Sequence, residues 1–192
     1  MVLNTIRFLW SRVDAVIRLL AGIKDLEGSK IWRVALRRHR GQSRRLADGT
    51  IIKKGDRLLE LHLNNDFLSG MARDTASPEG IAVKAAKEVA HSLSRLARLL
   101  KEDNRYQKVK AVFGITILNR PVRRFGFEVY DLEPGALTAL TRFYEKMILS
   151  IYHPWGPGAL KNYRRSVMPK YVIMSKNELL RRYLPGDGKG TG

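Results

Sequence analysis

The sequence predicts one α+β domain: a mostly antiparallel sheet of five or six strands with two long helices packed on one face, preceded by an amphipathic N-terminal helix. Three observations predict it. Apolar and polar residues alternate over 31–39, 57–64 and 122–130, as strands with one buried face require, and 108–118 is a nearly continuous apolar run suited to a central strand. Apolar stripes at helical spacing run over 77–101 and 134–152. The order is strands first, then helix, hairpin, helix, strand, helix, which fits an α+β chain. The 192 residues divide into an N-terminal helix with its connector (1–28), one domain (29–184) and a flexible tail (185–192).

Residues 2–21 read as an amphipathic helix, with Val2, Ile6, Leu9, Val13, Val16, Ile17 and Leu20 on one stripe. Arg7, Arg12 and Asp14 interrupt any signal-peptide or membrane-spanning core. The helix either docks on the domain or lies on a membrane surface with Phe8 and Trp10 at the interface. With no cleavable signal and no spanning segment, a cytoplasmic location is expected, at the membrane surface in the second case. Gly22 and Gly28 bracket the exit of the helix.

Trp32, Val34 and Leu36 alternate with Arg33, Arg37 and His39 in a first strand over 31–39. Asp48-Gly49 marks a turn, 50–53 a short strand, and Lys54-Gly55-Asp56 a second turn. A strand over 57–64 completes an antiparallel meander. Ser77 as N-cap, Pro78 at the first position and Glu79 at the positive dipole end start the 77–101 helix. Its inward stripe is Ala82, Ala86, Val89, Leu93, Leu96 and Leu100, with His91 off the stripe. Residues 108–118 form a nearly continuous apolar strand, suited to a central position. Residues 122–130 return as its hairpin partner, with Phe125, Phe127 and Val129 inward. Gly114 and Gly126 lie inside these strands, where glycine marks a bulge or a close approach. Pro154 stops the 134–152 helix. Residues 170–174 make a last strand, and Ser175 with Glu178 forms a capping box for the helix that follows.

Two features carry chemistry. In the 57–64 strand Leu59, Leu61 and Leu63 share one face, and Glu60, His62 and Asn64 the other, about 7 Å apart along the chain. A carboxylate, an imidazole and an amide are thus set in a row. His153 sits in an aromatic, glycine-rich segment that suits a pocket wall. The second feature is charge: 36 Lys+Arg against 18 Asp+Glu, net +18. Its densest patch is Arg37, Arg38, Arg40, Arg44 and Arg45, a dock for phosphate or carboxylate because guanidinium presents a planar fork. Such a field favours anionic partners. The absence of Cys excludes disulfides, Cys-ligated zinc and thiol catalysis.

The stretches 46–56 (Leu-Ala-Asp-Gly-Thr-Ile-Ile-Lys-Lys-Gly-Asp), 60–65 (Glu-Leu-His-Leu-Asn-Asn), 108–116 (Lys-Val-Lys-Ala-Val-Phe-Gly-Ile-Thr), 126–129 (Gly-Phe-Glu-Val), 151–154 (Ile-Tyr-His-Pro) and 174–183 (Met-Ser-Lys-Asn-Glu-Leu-Leu-Arg-Arg-Tyr) occur in this order. Together they resemble the YkoP-like family of bacterial proteins over about residues 3–184. Similar domains stand C-terminal to polysaccharide deacetylase domains, so the resemblance implies a role at the cell envelope; it brings no catalytic residues. Deacetylase chemistry is not implied for this chain. His39, His62, His91 and His153 include no pair one helical turn apart, and no paired Asp-Asp motif is present. A glycine-rich phosphate cradle is also absent. No cofactor or metal is expected.

Two classes of function follow. One is a basic binding or accessory module for anionic envelope material, acidic lipid or acidic polysaccharide, through the five arginines, with residues 2–21 adding peripheral membrane contact. The other is a small hydrolase or transferase. There His62 is the general acid or base, Glu60 tunes it, His153 assists and Asn64 orients substrate. Nucleic-acid binding is a third reading, without any recognised nucleic-acid module behind it.

Overall fold

The computed structural model describes residues 21–64, 67, 70–71, 78–116, 119–132 and 169–184. Its strands are β1 (Lys24–Asp25), β2 (Trp32–Arg38), β3 (Arg44–Arg45), β4 (Ile51–Ile52), β5 (Arg57–Leu63), β6 (Val109–Thr116), β7 (Glu128–Asp131) and β8 (Lys170–Ser175). Its helices are α1 (Pro78–Glu102), α2 (Asn119–Val122) and α3 (Lys176–Tyr183), with 3-10 turns at Asn104–Tyr106 and Arg123–Phe125. Six strands form one sheet in the order β1-β2-β5-β6-β8-β7; β3 and β4 pair separately as a small ribbon. Every neighbouring pair in the sheet is antiparallel except β5–β6. That parallel pair needs a crossover, and α1 supplies it. The expected N-terminal helix (2–21), the helix over 134–152, His153 and the tail 185–192 lie outside the described residues, apart from Ala21.

One core fills the space between the sheet and its helices. Leu93, Leu96, Ala97 and Leu100 of α1 meet Trp32, Val34, Leu59, Leu61, Val112, Val172 and Met174, and Leu179 brings α3 onto the same face. Each fully buried leucine contributes about 1.5–3 kcal/mol. The expected α1 stripe enters this core only from Val89 onward: Ala86 is exposed and Val83 is 55% exposed. His91 is exposed, as its place off the stripe requires. Ser175 ends β8 and caps α3 by accepting the Glu178 N–H at 2.9 Å. The reciprocal half of the expected capping box gives way to ion pairs, because the Glu178 carboxylate turns to Arg181 and Arg182.

Two pairings differ from expectation. The 31–64 meander is a hairpin with an insertion. β2 registers directly on β5, from Trp32 opposite Leu63 to Arg38 opposite Arg57. His39 extends it through bonds with Asp56 and Gly55. Ile51–Ile52 therefore never enters the sheet. It pairs with Arg44–Arg45, and the ribbon folds back over the sheet's second face. There Leu46 and Ile52 pack on Leu58, Ala111 and Ile173. The Asp48-Gly49 turn is present, with Gly49 at φ +85 and Asp48 accepting the Thr50 N–H at 3.0 Å.

The expected hairpin of 108–118 with 122–130 does not form either. Asn119–Phe125 is helical, and β8, with Val172, Ile173 and Met174 buried, takes the place between β6 and β7. Gly126 is accordingly no strand residue. It closes the second 3-10 turn at φ 94, a left-handed geometry that favours glycine.

Gly114 does lie inside a strand, and for the reason of close approach. A Cβ there would stand 3.0 Å from the Leu61 carbonyl oxygen. Backbone cannot yield as a side chain would, so Gly114→Ala should cost about 1–3 kcal/mol. A lower urea midpoint at unchanged slope would show it; an unchanged midpoint would mean the β5–β6 approach is loose.

Candidate functional site

A strand's period of two builds the site. Leu59 and Leu61 of β5 face α1, so Leu58, Glu60 and His62 face the other way. The ribbon covers Leu58. Beyond it, registered neighbours share the pleat: Ala35 opposite Glu60, Arg33 opposite His62, Phe113 beside Glu60, and Tyr171 beside Ile115. Tyr130 and Glu128 continue the row onto β7.

Glu60 is the electrostatic centre. Arg37 Nε donates to its Oε2 at 2.7 Å, and His62 Nε2 lies 3.2 Å from the same oxygen. The imidazole is thus in ion-pair range of Glu60, although its buried Nε2 makes no hydrogen bond of good geometry. Burial alone would push the Glu60 carboxyl up. The imidazole and the Arg37 guanidinium outweigh that and hold it below the ordinary glutamate value. Glu60 is therefore ionised at neutral pH.

The aromatic neighbours form a second set. Phe113 and Tyr171 pack with ring centroids 5.5 Å apart. The Tyr171 hydroxyl is buried without a partner, and its burial raises its pKa, so it stays protonated. Arg44 lies over the Tyr130 ring, 3.8 Å from its centroid. The Tyr130 hydroxyl donates to Glu128 Oε2 at 2.5 Å, while Glu128 Oε1 accepts the Ala47 N–H at 2.8 Å. Burial and the Glu128 carboxylate raise the Tyr130 pKa. Nearby, Ser175 donates to Asp48. The ribbon's turn is thus tied to β7 and to the start of α3. A cavity of about 580 Å³ opens between these ties, lined by Asp48, Arg123, Glu128, Ser175, Glu178 and Arg182 among others.

The other sequence-derived candidates disperse. Asn64 does not join Glu60 and His62. Its Nδ2 donates to the Lys30 carbonyl at 3.0 Å and its Oδ1 accepts the Phe67 N–H at 3.5 Å, which closes the end of β5. The arginine patch splits. Arg37 and Arg44 turn inward to Glu60 and Tyr130; Arg38, Arg40 and Arg45 are exposed. The fold adds cations that patch reading missed. Arg57 stands opposite Arg38, and Lys53, Lys54 and Lys108 are exposed at the same end of the sheet. Hairpin register would have found Arg57. Phe113 and Tyr171 read only as strand interior, because their role depends on which strands are neighbours. Among the described residues, no cluster of three His, Asp or Glu could hold a metal, and no helix is long and apolar enough to cross a membrane.

A family model described as the YkoP domain matches residues 4–183. The uncharacterized protein YkoP of Bacillus subtilis (strain 168) is 26% identical over 191 residues, covering 97% of this chain and 94% of that protein. No solved structure matches the chain.

The Glu60 pairing makes a pH prediction. A carboxyl whose folded pKa lies below its unfolded one stabilises fully above the unfolded value and loses that contribution as pH falls through the folded value. Urea titrations between about pH 7 and about pH 3 should therefore show wild type losing more stability than Glu60→Gln. Arg37→Gln should cost about 1–2 kcal/mol at neutral pH, allowing for solvent screening. Equal acid losses in wild type and Glu60→Gln would show that Glu60 is not held in its charged form.

Proposed function

The chain belongs to the YkoP domain family, and on that premise we propose that it is a basic binding module for anionic cell-envelope material, acidic lipid or acidic polysaccharide. The observation that carries the reading is Arg38 directly opposite Arg57 in the β2–β5 register, both exposed. Like charges facing one another across strands repel. No described carboxylate forms an ion pair with either arginine; Asp56, the nearest acid in the turn, is bound to Lys110 at 3.0 Å. Arg40, Lys53, Lys54 and Lys108 crowd the same end. A bound anion converts this repulsion into attraction. The inward arginines, Arg37 and Arg44, belong to the architecture, so the docking cations are Arg38, Arg40, Arg45 and Arg57.

A second reading, a small hydrolase or transferase with Glu60 and His62 as acid–base pair, draws on their 3.2 Å approach. Arg37 keeps Glu60 ionised, so its part would be to orient or stabilise the imidazole. Turnover lost in His62→Ala with binding retained would favour this second reading.

Changing Arg38, Arg40, Arg45 and Arg57 together to Gln tests the binding module. At roughly 1 kcal/mol per basic residue near an anionic surface, retention on anionic vesicles or acidic polysaccharide should fall on the order of 100-fold or more. Wild-type binding should weaken steeply with salt. Equal retention on neutral and anionic material, or no change in the quadruple variant, would reduce these cations to solubilising surface.

A further inference from the structure

Two buried polar atoms on the sheet's second face lack a hydrogen-bond partner, His62 Nε2 and Tyr171 Oη. They are neighbours in the pleat. Glu60 is in register with Phe113, and Tyr171 with Ile115. His62 and Ile115 each lie one pleat further along. The two atoms therefore come from strands on either side of β6, whose axes are about 10 Å apart. Trp32 Nε1 is also unpaired, but Trp32 belongs to the core on the helix side. Leaving such a group buried and unpaired costs about 1–3 kcal/mol. Tyr171 Oη has no partner and His62 Nε2 has only the poorly aligned Glu60 oxygen at 3.2 Å, so together they make a place where one molecule can pair with both.

The surroundings define that molecule. Phe113 and Tyr171, 5.5 Å apart and packed against the Leu46–Ile52 cluster, offer a partly exposed aromatic platform with Ile115 beside it. Glu60 offers an ionised acceptor. The His62 side chain is 32% exposed and that of Glu60 19%, so this half of the face reaches solvent. A phosphate headgroup matches an arginine fork and has no use for the platform. A ring with an apolar C–H face and a rim of hydroxyls matches every feature. Each hydroxyl donates and accepts, so it serves the imidazole in either tautomer, the tyrosine O–H and the carboxylate.

We propose that this half-face is a saccharide subsite, seating one sugar ring of a polymer whose acid groups dock on the cationic end of the sheet. Choosing an acidic polymer over lipid rests on the binding-module reading above; the subsite itself stands on the unpaired atoms and the platform.

Calorimetric titration of the full chain with a neutral hexose oligomer and its hexuronate counterpart, at low salt and at about 0.5 M salt where the Debye length is only a few ångströms, separates the two claims. Wild type should bind the hexuronate with a salt-sensitive and a salt-resistant part. Tyr171→Phe should weaken the salt-resistant part about five- to tenfold. Its melting temperature should be equal or higher, because it removes a hydroxyl the fold leaves unpaired. Phe113→Leu should weaken the same part, whereas the Arg38/Arg40/Arg45/Arg57 quadruple Gln variant should lose only the salt-sensitive part. Salt-insensitive binding that still depends on Tyr171 keeps the subsite and removes the cationic dock. Wild-type binding to anionic vesicles with none to either oligomer overturns the subsite. So does unchanged oligomer binding in Tyr171→Phe and Phe113→Leu, or a clear loss of melting temperature in Tyr171→Phe.

Discussion

The alternation along Arg57–Leu63 is the constraint on which the rest depends. This strand lies between β2 and β6, and its side chains feed two cores. Leu59 and Leu61 enter the larger one under α1, and Leu58 enters the smaller one under the ribbon. Because the period is two, Glu60 and His62 have no choice of face once those leucines are buried. A slip of one residue would expose the leucines and bury both polar groups. Core packing and the placement of the polar row are therefore one decision.

The β3–β4 ribbon divides the second face. Leu46 and Ile52 seal its lower part against Leu58, Ala111 and Ile173. Phe113, Tyr130 and Tyr171 pack along the edge of that cluster, and Glu60 and His62 lie past it on β5. The ribbon is also what sorts the arginines. Arg44 is carried inward onto Tyr130, while Arg45, the next residue and so on the opposite side, stays exposed. The same rule sorts Arg37 from Arg38 on β2. A run that looks uniform in the sequence thus splits on its two strands into inward cations, Arg37 and Arg44, and outward ones, Arg38 and Arg45. Among the described residues, Glu60 is paired with Arg37, Asp56 with Lys110, and Glu178 with Arg181 and Arg182.

Features set by local rules were legible in the sequence. Periodicity located β2, β5, β6 and β8, turn chemistry gave Asp48-Gly49, and a hydroxyl before a helix gave the Ser175 cap. The Glu60–His62 row was legible because strand alternation is local. What failed was neighbour order. Alternation says which face a residue takes but not which strand lies beside it, so β8 between β6 and β7 was invisible, and with it the meeting of Tyr171 and Phe113. Asn64 was misplaced because β5 ends at Leu63, one residue before the alternation would carry it to the polar face. β1 and β3 are two residues each, too short for any pattern. Nothing local singles out Arg57, because its importance comes from Arg38, far away in sequence and opposite in register.

Amide hydrogen exchange with and without a hexuronate polymer tests the central claim, that one face and one end of this sheet bind an acidic chain, without altering any residue. Slower exchange is expected, confined to the hairpin end and ribbon (38–57), to β6 around Phe113–Ile115 and to β8 at Tyr171. Protection centred on the exposed side of α1, or none at polymer concentrations that saturate retention, would contradict it.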